Sequence, residues 1–385
     1  MAVESLPIRR RRPLSRPDFL LAAGATVLSA VGLLMIYTVT ATRNEAAGLD
    51  PSGDLVRQAF YVAGGVAVFI AASLIGDRQW KALAPWAYLG SVLLLFAVLT
   101  PLGDIRQGAQ RWIPLGPVDL QPSEVAKPAM ILALASLLSS GEGGRVGWAR
   151  IGQAIGIMAV PSALVFIQPD LGTMLVFGFV ALVMLFVAGA GMRQIVLLLI
   201  GAVVALVIAF QFDILKEYQL DRLTGFLNSG EAELSLNYNQ VQSQIAIASG
   251  GLFGKGLSQG TQTNGAFVPA QRTDFIFTAV AEQLGFVGSA LVLALFALIL
   301  WRLLMTAAAA RDRFGYLIAV GTAAFLVFHV FVKVGMTQRL MPVTGLPLPF
   351  MSYGGSFYAA TALSLGMVHA VWLRRSPVPG ERFLL

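Results

Sequence analysis

The sequence predicts an all-α, polytopic membrane protein of about ten transmembrane helices, and three observations carry that prediction. The chain is 57% hydrophobic and only 12% charged, whereas a soluble domain is about 25% charged. Its mean hydropathy is +0.75. Apolar stretches of about 18 residues or more follow one another, each long enough to cross about 30 Å of hydrocarbon. That much apolar surface would aggregate in water, which argues against a soluble fold.

The first span runs near 19–41. It is too long for a signal-peptide core and shows no clear cleavage site. The tail before it, 1–18, carries Arg9, Arg10, Arg11, Arg12 and Arg16. Such a run reads as a cytoplasmic topology signal rather than a nucleic-acid site. Further spans are expected near 57–76, 83–102, 124–140, 151–167, 171–190, 194–212, 275–303, 314–337 and 355–374. The fourth and fifth are short, and only "QPD" separates the fifth from the sixth. With the N-terminus inside, about sixteen Lys and Arg lie on the cytoplasmic side and about nine outside, with Lys127 and Lys333 in spans. The opposite orientation inverts this bias. Ten spans return the tail 375–385 to the cytoplasm, so residues 1–385 read as one transmembrane domain with a long extracytoplasmic loop, 213–273.

In that orientation the Gly- and Pro-rich polar segments all share the outer face, where ATP is absent. Function concentrates in such loops. "SGGLFGKG" (Ser249–Gly256) resembles a phosphate loop, but Ser249 stands where a Walker A needs Gly, and Gly256 where it needs Ser or Thr. Its glycines fit a tight loop that re-enters the membrane surface. "QPSEVAK" opens the fourth span and places Glu124 and Lys127 on one helix face. They read as an intrahelical ion pair, as a pair lining a polar cavity, or both. "RQGAQRWIPLG" carries Arg106, Arg111 and Trp112, against the positive-inside bias, and arginine binds phosphate bidentately. Asp170 in "QPDLG" reads as a helix cap. "QRTDFIFTAVAEQLG" places Asp274 at the mouth of the eighth span, with Thr273 as a candidate cap, and Glu282 about two turns deeper. Asp274 reads either as a cap or as a carboxylate within reach of a substrate. "MPVTGLPLPFMSYGGSF" fits no regular helix and includes Ser352. Irregular backbone at membrane depth lines a cavity or is buried, and its free N–H groups can bind anions.

In this order and on these spans, "RWIPLG…QPSEVAK", "QPDLG", "YNQVQSQIAIASGGLFGKG", "TDFIF…AEQLG" and "PVTGLPLPFMSYGGS" closely resemble the SEDS family (shape, elongation, division and sporulation), and "MPVTGLPLPF" resembles its RodA branch. They extend from about Arg106 to Tyr358. The resemblance implies a peptidoglycan glycosyltransferase that polymerises lipid II into a nascent glycan strand at the outer face of the bacterial cytoplasmic membrane during elongation. It also implies a class B penicillin-binding protein as transpeptidase partner. The family's essential aspartate matches Asp274, and its functional Glu and Lys match Glu124 and Lys127. Ala270, Arg272, Lys333, Arg339 and Phe357 depart from the usual pattern, and several of them add positive charge.

The expected mechanism makes Asp274 the base that takes the acceptor hydroxyl proton. Glu124, Lys127, Arg106, Arg111, Trp112, Arg272, Lys333 and Ser352 are the expected substrate and diphosphate contacts. Arg272 could alternatively pair with Asp274. The chain has no cysteine and only two histidines, His329 and His369, so neither a disulfide nor a His- or Cys-based zinc site is expected. No cofactor is required, although a divalent cation (Mg or Mn) could bridge the diphosphate to Asp274 or Glu124. The alternative function is a lipid-linked precursor flippase or transporter, using the same charged cavity without bond formation.

Overall fold

The computed structural model describes residues 15–106, 109–116, 118–140, 145–212 and 238–375. The Arg9–Arg12 run, the stretch 213–237 of the long loop and the tail beyond Arg375 lie outside the described residues. Among the described residues, ten helices correspond to the predicted spans, with ends displaced by up to six residues, most in the third and eighth: α1 (Phe19–Ala46), α2 (Gly53–Leu74), α3 (Asp77–Ala97), α4 (Pro122–Ser139), α5 (Trp148–Ile167), α6 (Leu171–Val187), α7 (Met192–Gln211), α10 (Ile276–Ala309), α11 (Arg313–Thr337) and α12 (Gly355–Leu373). Among the described residues, eight are long and apolar enough to cross a membrane. The other two are α4, which carries Glu124 and Lys127, and the 17-residue α6. The chain is a multi-pass helical membrane protein.

Local chemistry sets several of the helix starts. Asp18, Asp170 and Asp312 accept backbone N–H bonds from Leu21, Thr173 and Gly315. Gly76, Gly147 and Gly191 precede α3, α5 and α7. The most apolar window of α12 is 89% buried, whereas that of α7 is 6% buried. So α12 lies at the centre of the bundle and α7 at its rim. The central helix packs on α2 and α4, and α11 packs on α10, α4 and α6. Small residues allow close approach: a Cβ at Gly366 of α12 would press on Ala72 and Phe69 of α2.

Both ends of the described chain meet at one end of the bundle, where Ser15 N–H donates to Leu373 O. There the Asp18 carboxylate lies 2.9 Å from Arg302 of α10, whose guanidinium sits 4.5 Å from the centre of the Trp372 ring. The opposite end holds structure that the hydropathy pattern does not announce. Three short antiparallel strands, β1 (Asp104–Arg106), β2 (Ala109–Pro114) and β3 (Asp119–Leu120), form a ribbon in the order β1-β2-β3. This loop was expected to be irregular; backbone pairing satisfies its polar groups instead.

The described part of the long loop is also ordered. Helices α8 (Tyr238–Gly250) and α9 (Thr261–Asn264) flank a turn that packs against α10. It docks where Gly285, with φ 67°, breaks α10. Lys255 and Gly256 N–H donate to Glu282 and Gln283 O, and Phe286 and Val287 N–H donate to Gly251 and Leu252 O. A Cβ at Gly254 or Gly285 would overlap the facing backbone. The "SGGLFGKG" glycines thus serve a re-entrant turn. Lys255 is held by Glu282 and Thr261 at 3.3 and 2.7 Å.

Gly254→Ala should lower the thermal unfolding midpoint in detergent, at a cost of about 1–3 kcal/mol, because φ is +80° and the Cβ meets Gln283 O. Gly90→Ala, in open space within α3, should gain about 0.5–1 kcal/mol. A Gly254→Ala protein that melts with the wild type would contradict this docking.

Candidate active site

Asp274 lies in a tight turn just ahead of α10. Its N–H and that of Thr273 both donate to Ala270 O, at 2.8 and 3.1 Å. The carbonyls of this turn are held from the other side. Tyr353 N–H donates to Arg272 O at 3.0 Å, and the Ser352 hydroxyl donates to Thr273 O at 2.6 Å. The same hydroxyl accepts from Leu348 N–H at 2.8 Å. The irregular segment 341–354 therefore clasps the Asp274 turn. Ser352, expected as a substrate contact, is placed as that clasp and is buried.

The capping readings of Asp274 and Thr273 are corrected. Phe275 occupies the cap position of α10, without a side-chain bond, and the Thr273 hydroxyl donates to Ala270 O. The Asp274 carboxylate instead lies 3.0 Å from Lys333 Nζ of α11. The pair is asymmetric: the Lys333 side chain is 1% exposed and that of Asp274 is 26% exposed. The carboxylate is thus held from behind by a buried cation and open in front. Arg272 does not pair with Asp274; it lies 2.7 Å from Asp54 of α2 and 4.8 Å from the centre of the Tyr353 ring.

Glu124 and Lys127 form the second pair. Lys127 Nζ is 2.8 Å from both carboxylate oxygens, and the side chains are 2% and 1% exposed. Lys127 Nζ also lies 5.3 and 6.0 Å from the centres of the Phe357 and Phe325 rings. Those rings contact His329, stacked on Phe357 at 4.9 Å and edge-on to Phe325 at 4.7 Å. His329 precedes Lys333 by one turn of α11, and its Nδ1 lies 3.0 Å from Pro347 O of the clasping segment. The two ion pairs are therefore joined through α11 and α12 into one polar seam.

The remaining expected contacts serve the ribbon. Arg106 bridges Asp104 and Asp119 at 2.8 and 2.6 Å and lies 5.9 Å from the centre of the Trp112 ring. Donating to Asp119 and Asp104 raises the guanidinium pKa above its ordinary value. Arg111 donates to Gln168 O at 2.7 Å and to Pro169 O, which ties the ribbon to the end of α5. Asp170 caps α6, as the sequence suggests. The buried Glu282 accepts from Gln262 and Thr263 N–H at 2.8 and 2.9 Å and anchors the re-entrant turn. Sequence reasoning missed Asp54, His329 and Tyr353. The spacing of His329 to Lys333 is the one local signal among them; Asp54 and Arg272 are 218 residues apart.

The site is thus an ion-paired seam within a transmembrane bundle, with one carboxylate open at its mouth. The family signature described as cell cycle protein, of the FtsW/RodA/SpoVE group, matches residues 19–376. The chain belongs to this family. It is 37% identical over 354 residues to "Peptidoglycan glycosyltransferase MrdB" of Escherichia coli K12, which covers 91% of this chain and 93% of that protein. A solved chain described as "Structural coordination of polymerization and crosslinking by a peptidoglycan synthase complex" superposes with a TM-score of 0.76. It is 33% identical, covering 92% of this chain and 97% of that one. The Thermus thermophilus rod shape determining protein RodA gives 0.68 at 31% identity, covering 94% and 98%.

Glu124→Gln or Lys127→Met alone should destabilise the protein by about 3–5 kcal/mol, since each leaves a buried charge without its counter-charge. The double variant Glu124→Leu/Lys127→Met should recover most of that loss in thermal unfolding. A double variant as unstable as the singles would show that the pair is needed for more than mutual neutralisation.

Proposed function

We infer that this chain is a peptidoglycan glycosyltransferase that polymerises lipid II at the outer face of the bacterial cytoplasmic membrane, with Asp274 as general base. The observation that carries the reading is the Asp274 carboxylate, open in front and fixed from behind by Lys333 and the Ser352–Tyr353 clasp. The family and its relatives named as peptidoglycan glycosyltransferases support the activity. The Lys and Arg bias supports termini in the cytoplasm and Asp274 on the far side. The RodA likeness supports a role in elongation.

In the reaction, Asp274 accepts the proton of the acceptor 4-hydroxyl as its oxygen attacks the anomeric carbon from the face opposite the leaving group. The new glycosidic C–O bond forms as the bond to the prenyl diphosphate breaks. The diphosphate departs with that electron pair, and the anomeric configuration inverts. A diphosphate is acidic enough to leave without a protonated acid, so one carboxylate suffices. Arg272, partly exposed beside the Asp274 turn, is the cation placed to meet the departing charge, while Lys333 acts through the carboxylate it holds. Lys127 and Glu124, a buried neutral pair, shape the seam behind the mouth rather than adding net charge. Arg106, Arg111 and Trp112 shape the ribbon beside the mouth.

Among the described residues, no three His, Cys, Asp or Glu side chains gather into a metal site. Asp274, the carboxylate open at the mouth, would be the residue to hold a divalent cation, which would supply positive charge against the leaving diphosphate. A class B penicillin-binding protein is the proposed transpeptidase partner, supported by the solved complex whose description couples polymerization to crosslinking.

Purified protein incubated with labelled lipid II should form glycan polymer. Asp274→Asn should lower that rate by at least about 10²-fold with the fold intact. Full activity in Asp274→Asn would remove its role as base. Movement of lipid II across vesicles without polymer would replace the enzyme by a flippase.

A further inference from the structure

The end of the bundle opposite Asp274 holds a cavity that the transferase reading does not use. Asp54, at the start of α2, pairs with Arg272 beside Asp274. The 22-residue α2 then runs about 33 Å to the start of α3. There a groove of about 700 Å³ lies between α3, α4 and α5. Arg78 and Lys81, about one turn apart near the start of α3, line it. Its apolar walls include Ala84, Pro85, Ala133 and Leu137. Tyr88, which also lines the groove, donates to Ile157 O at 2.9 Å and ties α3 to α5.

The two cations are not consumed by the fold. Among the described residues, no acidic side chain pairs with Arg78 or Lys81; the one contact of this kind is Lys81 Nζ at 6.0 Å from the centre of the Phe314 ring. Cations that serve topology alone need only stand in the headgroup layer. These two share one cavity with apolar walls that continue into the bundle. A soluble anion would match the cations and waste the walls; a neutral lipid would do the reverse.

We propose that this groove seats one anionic phospholipid of the leaflet opposite the Asp274 mouth. Its phosphate lies between Arg78 and Lys81, and one acyl chain lies along the wall made by α3, α4 and α5. Basic pockets between transmembrane helices take anionic headgroups in this way, and the guanidinium offers two parallel donors to phosphate oxygens.

Native mass spectrometry of the full, delipidated chain in detergent tests this, with phosphatidylglycerol or phosphatidylcholine of equal acyl length added. Wild type should retain phosphatidylglycerol in preference. R78Q/K81Q should lose that preference by about tenfold, the worth of a charge-assisted hydrogen bond. R78K/K81R, which keeps both charges, should retain most of it. Excess glycerol 3-phosphate should not displace the lipid, because it lacks the chain. Equal retention of the two lipids by wild type, undiminished phosphatidylglycerol binding by R78Q/K81Q, or full displacement by glycerol 3-phosphate would each overturn the proposal. Circular dichroism checks that both double variants keep the wild-type helix content.

Discussion

A charge at membrane depth has to bring its counter-charge with it, and this bundle is organised around that requirement. A lone carboxylate or ammonium near mid-span costs about 2.5–3.5 kcal/mol even on lenient insertion scales. Asp18 meets Arg302, Glu124 meets Lys127, and Glu282 meets Lys255 together with the N–H groups of α9. Each match fixes a packing relation. Asp18 ties the start of α1 to α10 and, through Trp372, to α12. Glu282 fixes the re-entrant turn to α10. Glu124 and Lys127 lie within one helix, so their neutralisation is complete before α4 meets its neighbours.

Asp274 follows the same rule with one difference, and that difference is chemical. Its partner Lys333 is buried, but the carboxylate is not. A pair closed on both sides would only stabilise. Here the ammonium lies behind, the backbone of the turn is held by Ser352 and Tyr353, and the front of the carboxylate is open. On the proposed reading, a base positioned this way relies on groups that need not touch the sugar. It also explains why the segment 341–354 has no regular structure. A helix there would keep Tyr353 N–H within its own ladder and away from Arg272 O.

The spans were legible because the thickness of hydrocarbon sets their length, and the helix ends sit beside Asp or Gly residues that stop or start a ladder. The ribbon at 104–120 was not, because strands of two to six residues leave little periodic signal. Asp274 was legible as a candidate base, although the competing cap reading failed because α10 starts two residues later, at Ile276. The Glu124–Lys127 pair was legible from its spacing alone. Arg111 was not: its role depends on carbonyls at Gln168 and Pro169, where the chain returns only after α4 and α5 have both crossed. Partners that meet across the bundle, such as Arg272 with Asp54, leave no mark in local sequence.

The order of assembly follows from where the clasp sits. Among the described residues, Ser352 and Tyr353 come just before α12, the last helix in chain order and the most buried of the candidate spans. A chain emerging from the ribosome forms its earlier elements first. Throughout that time the Asp274 turn has its own bonds to Ala270 O but not those from Ser352 and Tyr353, and the place of α12 in the bundle is unfilled. Only when α12 inserts and its end meets Ser15 are both supplied together. A chain that has not yet reached α12 therefore carries the Asp274 carboxylate without the clasp, and on the proposed reading it holds its base unpositioned.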